Sequence, residues 1–250
     1  MDEYRAVLVV DAEKFSAHRD VELPDVHLEI RRVLGVAATG SGLGRTWENV
    51  RFMQSTGDGI LAVLPHEAVP ALIDPFPRRL QEALAECAPR LRARGVRLRL
   101  RVALHVGLVD DERPDAPGLS TAVIDVCRLV DSRPLRDALE HSDPEVTFAA
   151  FMVSRELFTD FVAGGRTPLR GSQFTEVEAK VKQYARPAYL YVPAPSEKGR
   201  PDGAAEQAGA DRAPVPPPAS GTSISGTTIS GDNPVNAFGN TVSGDFKLER

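Results

Sequence analysis

The chain has 250 residues, 42% of them hydrophobic, which is enough for one full domain with extra segments or for two small domains. A formal net charge of −5 removes bulk electrostatics as a reason to expect nucleic acid or anionic membrane as the main partner. Two cysteines far apart, Cys87 and Cys127, form no metal-ligand spacing and read as reduced core thiols.

No apolar run reaches the roughly 18 residues of a membrane span. The opening MDEYRAVLVV carries acids where a secretion signal carries bases. A soluble cytoplasmic protein with neither nucleic acid nor membrane as partner is expected.

YRAVLVVDAEKF opens with a β-branched run and predicts a buried strand ending at Asp11. Apolar residues after Pro24 fall near helical spacing as far as Gly40, a plausible helix stop. NVRFMQS and GILAVLP predict two short strands around Gly57-Asp58-Gly59, a strong hairpin signal because Asp-Gly tolerates positive φ. A helix is predicted from about Pro77, with Leu80, Leu84 and Cys87 on its apolar face. VRLRLRVALHVGLV alternates and predicts a strand. Its arginines, and those of the preceding PRLRARG, read as a solvated face.

STAVIDVCRLVDSRPLRDALE predicts a helix with a break before Pro134. EVTFAAF and ARPAYLYVP predict late strands, with a short helix SRELFTDFV between them. Trp47 reads as a packing anchor. His105 reads as a satisfied, half-buried strand histidine, and the other four histidines have no partner at metal spacing. The order βαββαβαβαβ predicts a ferredoxin-like α+β sheet with helices on one face, over residues 1–193.

Asp11 ends the first strand and Asp58 tips the next hairpin, so such a sheet can make them neighbours. Taken alone, an aspartate in a Gly-Asp-Gly turn is a turn residue. Two carboxylates side by side repel each other, however, and a hard divalent cation removes that cost. Such a pair can hold a metal-bound triphosphate and activate a sugar hydroxyl for attack on phosphorus.

At this point a resemblance becomes specific. VLVVDAEKFS and STGDGILAVLP resemble the two metal motifs of the class III nucleotide cyclase catalytic domain. RVALHVG resembles that family's R-x-G-x-H-x-G strand, AVIDVCRL its V-N-x-A-x-R-L helix, and VKQYARPAYLYVP its closing lysine and strand. The resemblance implies an NTP substrate and two Mg²⁺ or Mn²⁺ ions on Asp11 and Asp58. It implies transition-state stabilisation by Arg128 and a triphosphate contact from Lys182. It implies a homodimer, because the family builds its sites between two domains.

Gly57, Gly59 and Gln54 are the candidate nucleotide-side residues of the hairpin. Gln54 stands where the family has a base-reading lysine, and Ile124 where it has a transition-state asparagine. The neighbouring Asp125 is turned by about 100° on a helix. A lost transition-state contact costs on the order of 10²–10³ in rate. The resemblance therefore leaves open an active cyclase and a divergent, nucleotide-sensing or scaffolding domain. The second base-reading position falls in DERPDAPGLS, which does not align.

After residue 193 the composition changes. Residues 194–220 are rich in Pro, Ala and Gly and carry too few large apolar side chains to offset the entropy of ordering, so a disordered linker is expected. In residues 221–250 the unit Ile/Val-Ser-Gly recurs at Ile224, Ile229 and Val242. This composition suits cross-β stacking. ISGDNPVNAFGNTVSGD resembles bacterial RHIM-like amyloid signalling motifs, which implies a receptor with a matching motif as partner.

Overall fold

The computed structural model describes residues 2–50, 52–110 and 118–198. Of the linker expected over 194–220, residues 194–198 are described and, against that expectation, hydrogen-bond to the domain; the rest of it, the amyloid-type tail and most of DERPDAPGLS lie outside the described residues. The described residues belong to one unit, Met1–Pro201.

The apolar run at the start forms β1 (Glu3–Ala12), which pairs antiparallel with two neighbours. Its alternate residues feed two cores: Ala6, Leu8 and Val10 on one face, Val7 and Val9 on the other. A strand covered on both faces needs apolar residues at every position, hence the unbroken run. The chain continues through α1 (Leu23–Gly40), the short α2 (Gly44–Glu48), β2 (Phe52–Ser55) and β3 (Gly59–Pro65). Next come α3 (Val69–Ile73), α4 (Phe76–Arg92) and β4 (Leu100–Val109). Then follow α5 (Thr121–Val130), α6 (Arg133–Glu140), β5 (Ala149–Ser154) and α7 (Arg155–Leu157), which runs into a π-helical turn at Phe158–Ala163. A hairpin of β6 (Thr175–Val181) and β7 (Tyr184–Tyr191) completes the fold.

The seven strands lie in the order β2-β3-β1-β4-β5-β7-β6, with only β4 and β5 parallel. The α+β expectation holds. Helices, though, cover both faces and not one. α1 and α4 pack on the face of Leu8 and Val10; α5 and α6 pack on the face of Val7 and Val9. The expected strand order missed β6, whose TEVEAKV alternates with Ala179 fully buried.

Two predicted strands begin late. Residues before Leu100 end α4: Gly95 takes a φ of +77° and the Val96 N–H donates to the Leu91 carbonyl. Residues before Ala149 form a turn on Asp143, whose side chain accepts the Glu145 N–H. Trp47 packs against the core beside Phe76, as expected, and both cysteines are free. Beyond β7 the chain stays docked. Thr147 Oγ1 donates to the Ala194 carbonyl at 2.5 Å, Asp143 N–H to Ser196 Oγ at 2.9 Å, and Lys198 N–H to the His141 carbonyl at 2.9 Å. Among the described residues no helix is long and apolar enough to cross a membrane.

Candidate functional site

The register of β1 against β3 sets Asp11 opposite Gly59, and the Ala12 N–H donates to the Asp58 carbonyl at 2.9 Å. The hairpin turn closes with the Thr56 N–H donating to the Gly59 carbonyl at 3.0 Å. Its positive φ, expected at the Asp-Gly pair, belongs instead to Gly57, at +93°. Gly59 is required for space: a Cβ there would lie 1.8 Å from the Val10 carbonyl oxygen. Two glycines thus bring the hairpin tip against the end of β1, close enough for Asp58 to act on the Asp11 carboxyl.

A third charge joins them. On the other side of β1, β4 sets Arg101 opposite Asp11, and its guanidinium forms an ion pair with that carboxylate. Both side chains are mostly buried, 14% and 15% exposed. The Asp11 carboxyl is pushed up to about 6. Burial is the largest cause, Arg101 opposes it, and the hydrogen bond and charge of Asp58 add to it. One arginine therefore does not compensate two carboxyls.

This donor set suits a hard cation that draws its other ligands from a substrate. Mg²⁺ takes one or two carboxylates plus phosphate oxygens and water. A cluster of three or more His, Cys, Asp or Glu side chains does not occur among the described residues, so a cation here would rely on substrate oxygens.

Arg101 was missed as a site residue because it reads as part of a solvated arginine face. That expectation is corrected at two positions. Arg99 is buried and donates to the Thr147 and Leu139 carbonyls, to Ser142 Oγ, and to Glu13 at 3.1 Å. The available signal was the strand alternation, which puts Arg99 and Arg101 on one side of a strand next to the Asp11 strand.

The other predicted residues gather elsewhere. Arg128, on α5, lies over the Tyr184 ring at 5.3 Å and 3.5 Å from the buried Asp125 carboxylate. Lys182 and Gln183 form the two-residue turn between β6 and β7, and Lys182 adopts φ +53°. Arg128 and Lys182 line one open groove of about 550 Å³, whose floor is Val123, Ile124 and Cys127. Ile124 is 44% exposed to that groove. Gln54 stands exposed on the edge strand β2, opposite Leu61.

Asp125 instead faces a neighbouring cavity of about 230 Å³ together with His105, Glu156, Tyr184 and Arg186. His105 was expected to be satisfied, but its buried Nδ1 has no hydrogen-bond partner and lies 3.8 Å from Glu156. Burial holds its pKa below the ordinary value, against the opposing charges of Glu156 and Asp125.

The acid pair and the Arg128/Lys182 groove sit at opposite ends of the sheet. Asp11 is level with the start of β4, which is level with the start of β5 and the end of β7. Lys182 stands before the start of β7. The eight residues of β7 from Tyr184 to Tyr191 alone span about 23 Å, at roughly 3.3 Å per step. One chain therefore does not bring the four predicted residues together.

Solved structures share this architecture. The guanylyl cyclase Cya2 matches with a TM-score of 0.53 at 13% identity, over 81% of this chain and 96% of that one. The adenylyl cyclase CyaB from P. aeruginosa gives 0.51 at 14% identity, over 81% and 98%. A bacterial light-regulated adenylyl cyclase gives 0.50 at 16%, over 78% and 93%. The fold is that of nucleotide cyclase catalytic domains. No family model matches the chain, and no curated protein matches it. In this cyclase fold the acid pair lies on the β1 end and the β2–β3 hairpin, while α5 and the β6–β7 turn carry the cationic groove.

Proposed function

We propose that the chain is a divergent nucleotide cyclase-type domain that handles a metal-bound nucleoside triphosphate and completes its site only between two copies. The observation that carries this reading is the acid pair. The chain places Asp58 against the partly buried Asp11, with a carboxyl pushed up to about 6 and only Arg101 beside it. Such a pair is costly to the fold unless a ligand uses it.

Asp11 and Asp58 would hold the two Mg²⁺ or Mn²⁺ ions, which when bound supply charge neutralisation and a more acidic sugar hydroxyl. Arg101, paired with Asp11, would stand beside that site as a cation for a phosphate oxygen. Arg128 and Lys182 of a second copy bring two positive charges to the phosphates, which supports the homodimer. In the reaction the sugar oxygen bonds to the α-phosphorus, the bond to the leaving pyrophosphate breaks, and the hydroxyl proton is released to solvent. Ile124 cannot hydrogen-bond in that transition state, so turnover is slow. Gln54, in place of a lysine, leaves the base unassigned.

A specific observation favours a second reading, nucleotide sensing without cyclisation: Ile124 is presented to the groove, exposed, where a polar contact is needed. In both readings, residues 199–220 are a linker and 221–250 an amyloid-type assembly element that docks on a receptor with a matching motif. The Ile/Val-Ser-Gly repeat supports this.

The test is incubation of the full chain with each of the four NTPs and Mn²⁺, followed by mass spectrometry for cyclic mononucleotide. Product that disappears in Asp58→Ala supports the first reading. Mn²⁺-dependent nucleotide binding without product supports the second. Neither binding nor product overturns both.

A further inference from the structure

A second charged cavity lies at the same end of the sheet as Asp11, enclosed by the turn after β1, the approach to β4 and the α6–β5 connection. Its volume is about 330 Å³, at the lower end of the ~300–1,000 Å³ typical of small-molecule sites. Lys14, His18, Arg97 and Lys198 line it, together with the buried Arg99 and the acids Glu13 and Glu140. Arg99 is a structural cation, paired with Glu13 at 3.1 Å and bound to two carbonyls. That leaves Lys14, Arg97 and Lys198 facing one remaining acid, Glu140.

These three cations have little else to do. Lys14 and Lys198 form no ion pair among the described residues. Arg97 lies only 3.9 Å from Glu145, which Arg92 already holds. Lys14 also adopts φ +56°, a conformation that costs a non-glycine residue roughly 1–2 kcal/mol. The turn thus holds a strained lysine over a cavity already in excess of positive charge. Like charges around one cavity repel, and a multivalent anion would reverse the sign of that term.

We propose that this cavity binds a small phosphorylated ligand, carrying at least two negative charges and no larger than about a mononucleotide. The ligand would touch the turn that follows Asp11 and the segment that ends at Lys198. Its occupancy would therefore stiffen the chain just before the tail. This proposal does not depend on cyclase activity.

Inorganic pyrophosphate serves as the probe, titrated calorimetrically into the full chain in EDTA, where metal-dependent binding at the acid pair is suppressed. One-to-one binding is expected, weakened at least tenfold in Lys14→Gly/Arg97→Gln and within twofold of wild type in Arg166→Gln/Arg170→Gln, two exposed arginines outside the cavity lining. Lys14→Gly suits the left-handed backbone, and the Arg97 side chain is 68% exposed, so the first variant retains the fold; a thermal melt checks this. Amide exchange at Lys198, whose N–H donates to the His141 carbonyl, slows on binding. The proposal is overturned if millimolar pyrophosphate gives no binding, if both double variants weaken equally, or if binding is kept in Lys14→Gly/Arg97→Gln but lost in Arg128→Ala/Lys182→Ala.

Discussion

Asp11→Asn should stabilise the protein at neutral pH while removing a ligand of the proposed metal site. The Asp11 carboxyl titrates at about 6 in the folded chain, against an ordinary 3.8. Folding thus favours the protonated form. The stability contributed by Asp11 is highest below pH 3.8, falls as pH rises through that range, and is at its lowest above about 6. The full gap corresponds to about 3 kcal/mol, at 1.36 kcal/mol per pH unit. Solvent screening at the open edge of the site and the retained charge of Arg101 reduce this to about 1–2 kcal/mol.

Asparagine imitates the protonated carboxyl, since its amide N–H₂ can donate to Asp58. Urea denaturation of wild type and variant, in EDTA at pH 4, 5, 6 and 7.5, measures the effect. The variant's advantage is expected to grow from near zero at pH 4 to about 1–2 kcal/mol at pH 7.5. At saturating Mn²⁺ the wild type regains that deficit and the variant gains nothing. A variant less stable than wild type by a constant amount at every pH would refute the reasoning, because the Arg101 ion pair would then dominate.

Gly59→Ala forces a Cβ to within 1.8 Å of the Val10 carbonyl oxygen. The β1–β3 ladder must part beside the acid pair, with an expected loss of about 2–4 kcal/mol in denaturant melts. Arg99→Met strands two buried carbonyls and the Glu13 carboxylate; an expected cost of about 3 kcal/mol is read from the same melts. Ile124→Asn restores a hydrogen-bonding side chain to an exposed face of α5. It should leave the thermal midpoint unchanged and raise cyclic nucleotide formation about 10- to 100-fold.

The sequence made β1 and the Asp58 turn visible because both are local. An unbroken apolar run states its burial on two faces, and Gly-Asp-Gly states its turn within three residues. The helix of Arg128 carried its own break at Pro134. Other features depend on distant partners. Arg99 and Arg101 alternate with apolar residues as a solvated face would, and what reverses that reading is separated from Arg99 by 40 residues at Leu139, 48 at Thr147 and 86 at Glu13. Arg101 meets Asp11 across 90 residues.

The strand β6 was hidden for a different reason. TEVEAKV has the period of a half-buried strand, but its charged residues dilute the apolar signal, and only pairing with β7 buries Ala179. Helices on both faces, where one face was expected, were legible in β1 itself, since a run apolar at every position needs cover on each side. The separation of Asp11 from Lys182 was not readable without the strand order, because it depends on where β7 lies.

A site shared between two copies can be rebuilt by complementation between two inactive variants. Asp58→Ala and Arg128→Ala are each expected to lose cyclic nucleotide formation. Mixed in equal amounts and allowed to exchange subunits, they should recover about one quarter of wild-type turnover, because half of the dimers are mixed and each has one intact site of two. A mixture as inactive as its components, under conditions where dimers exchange, would contradict the shared site.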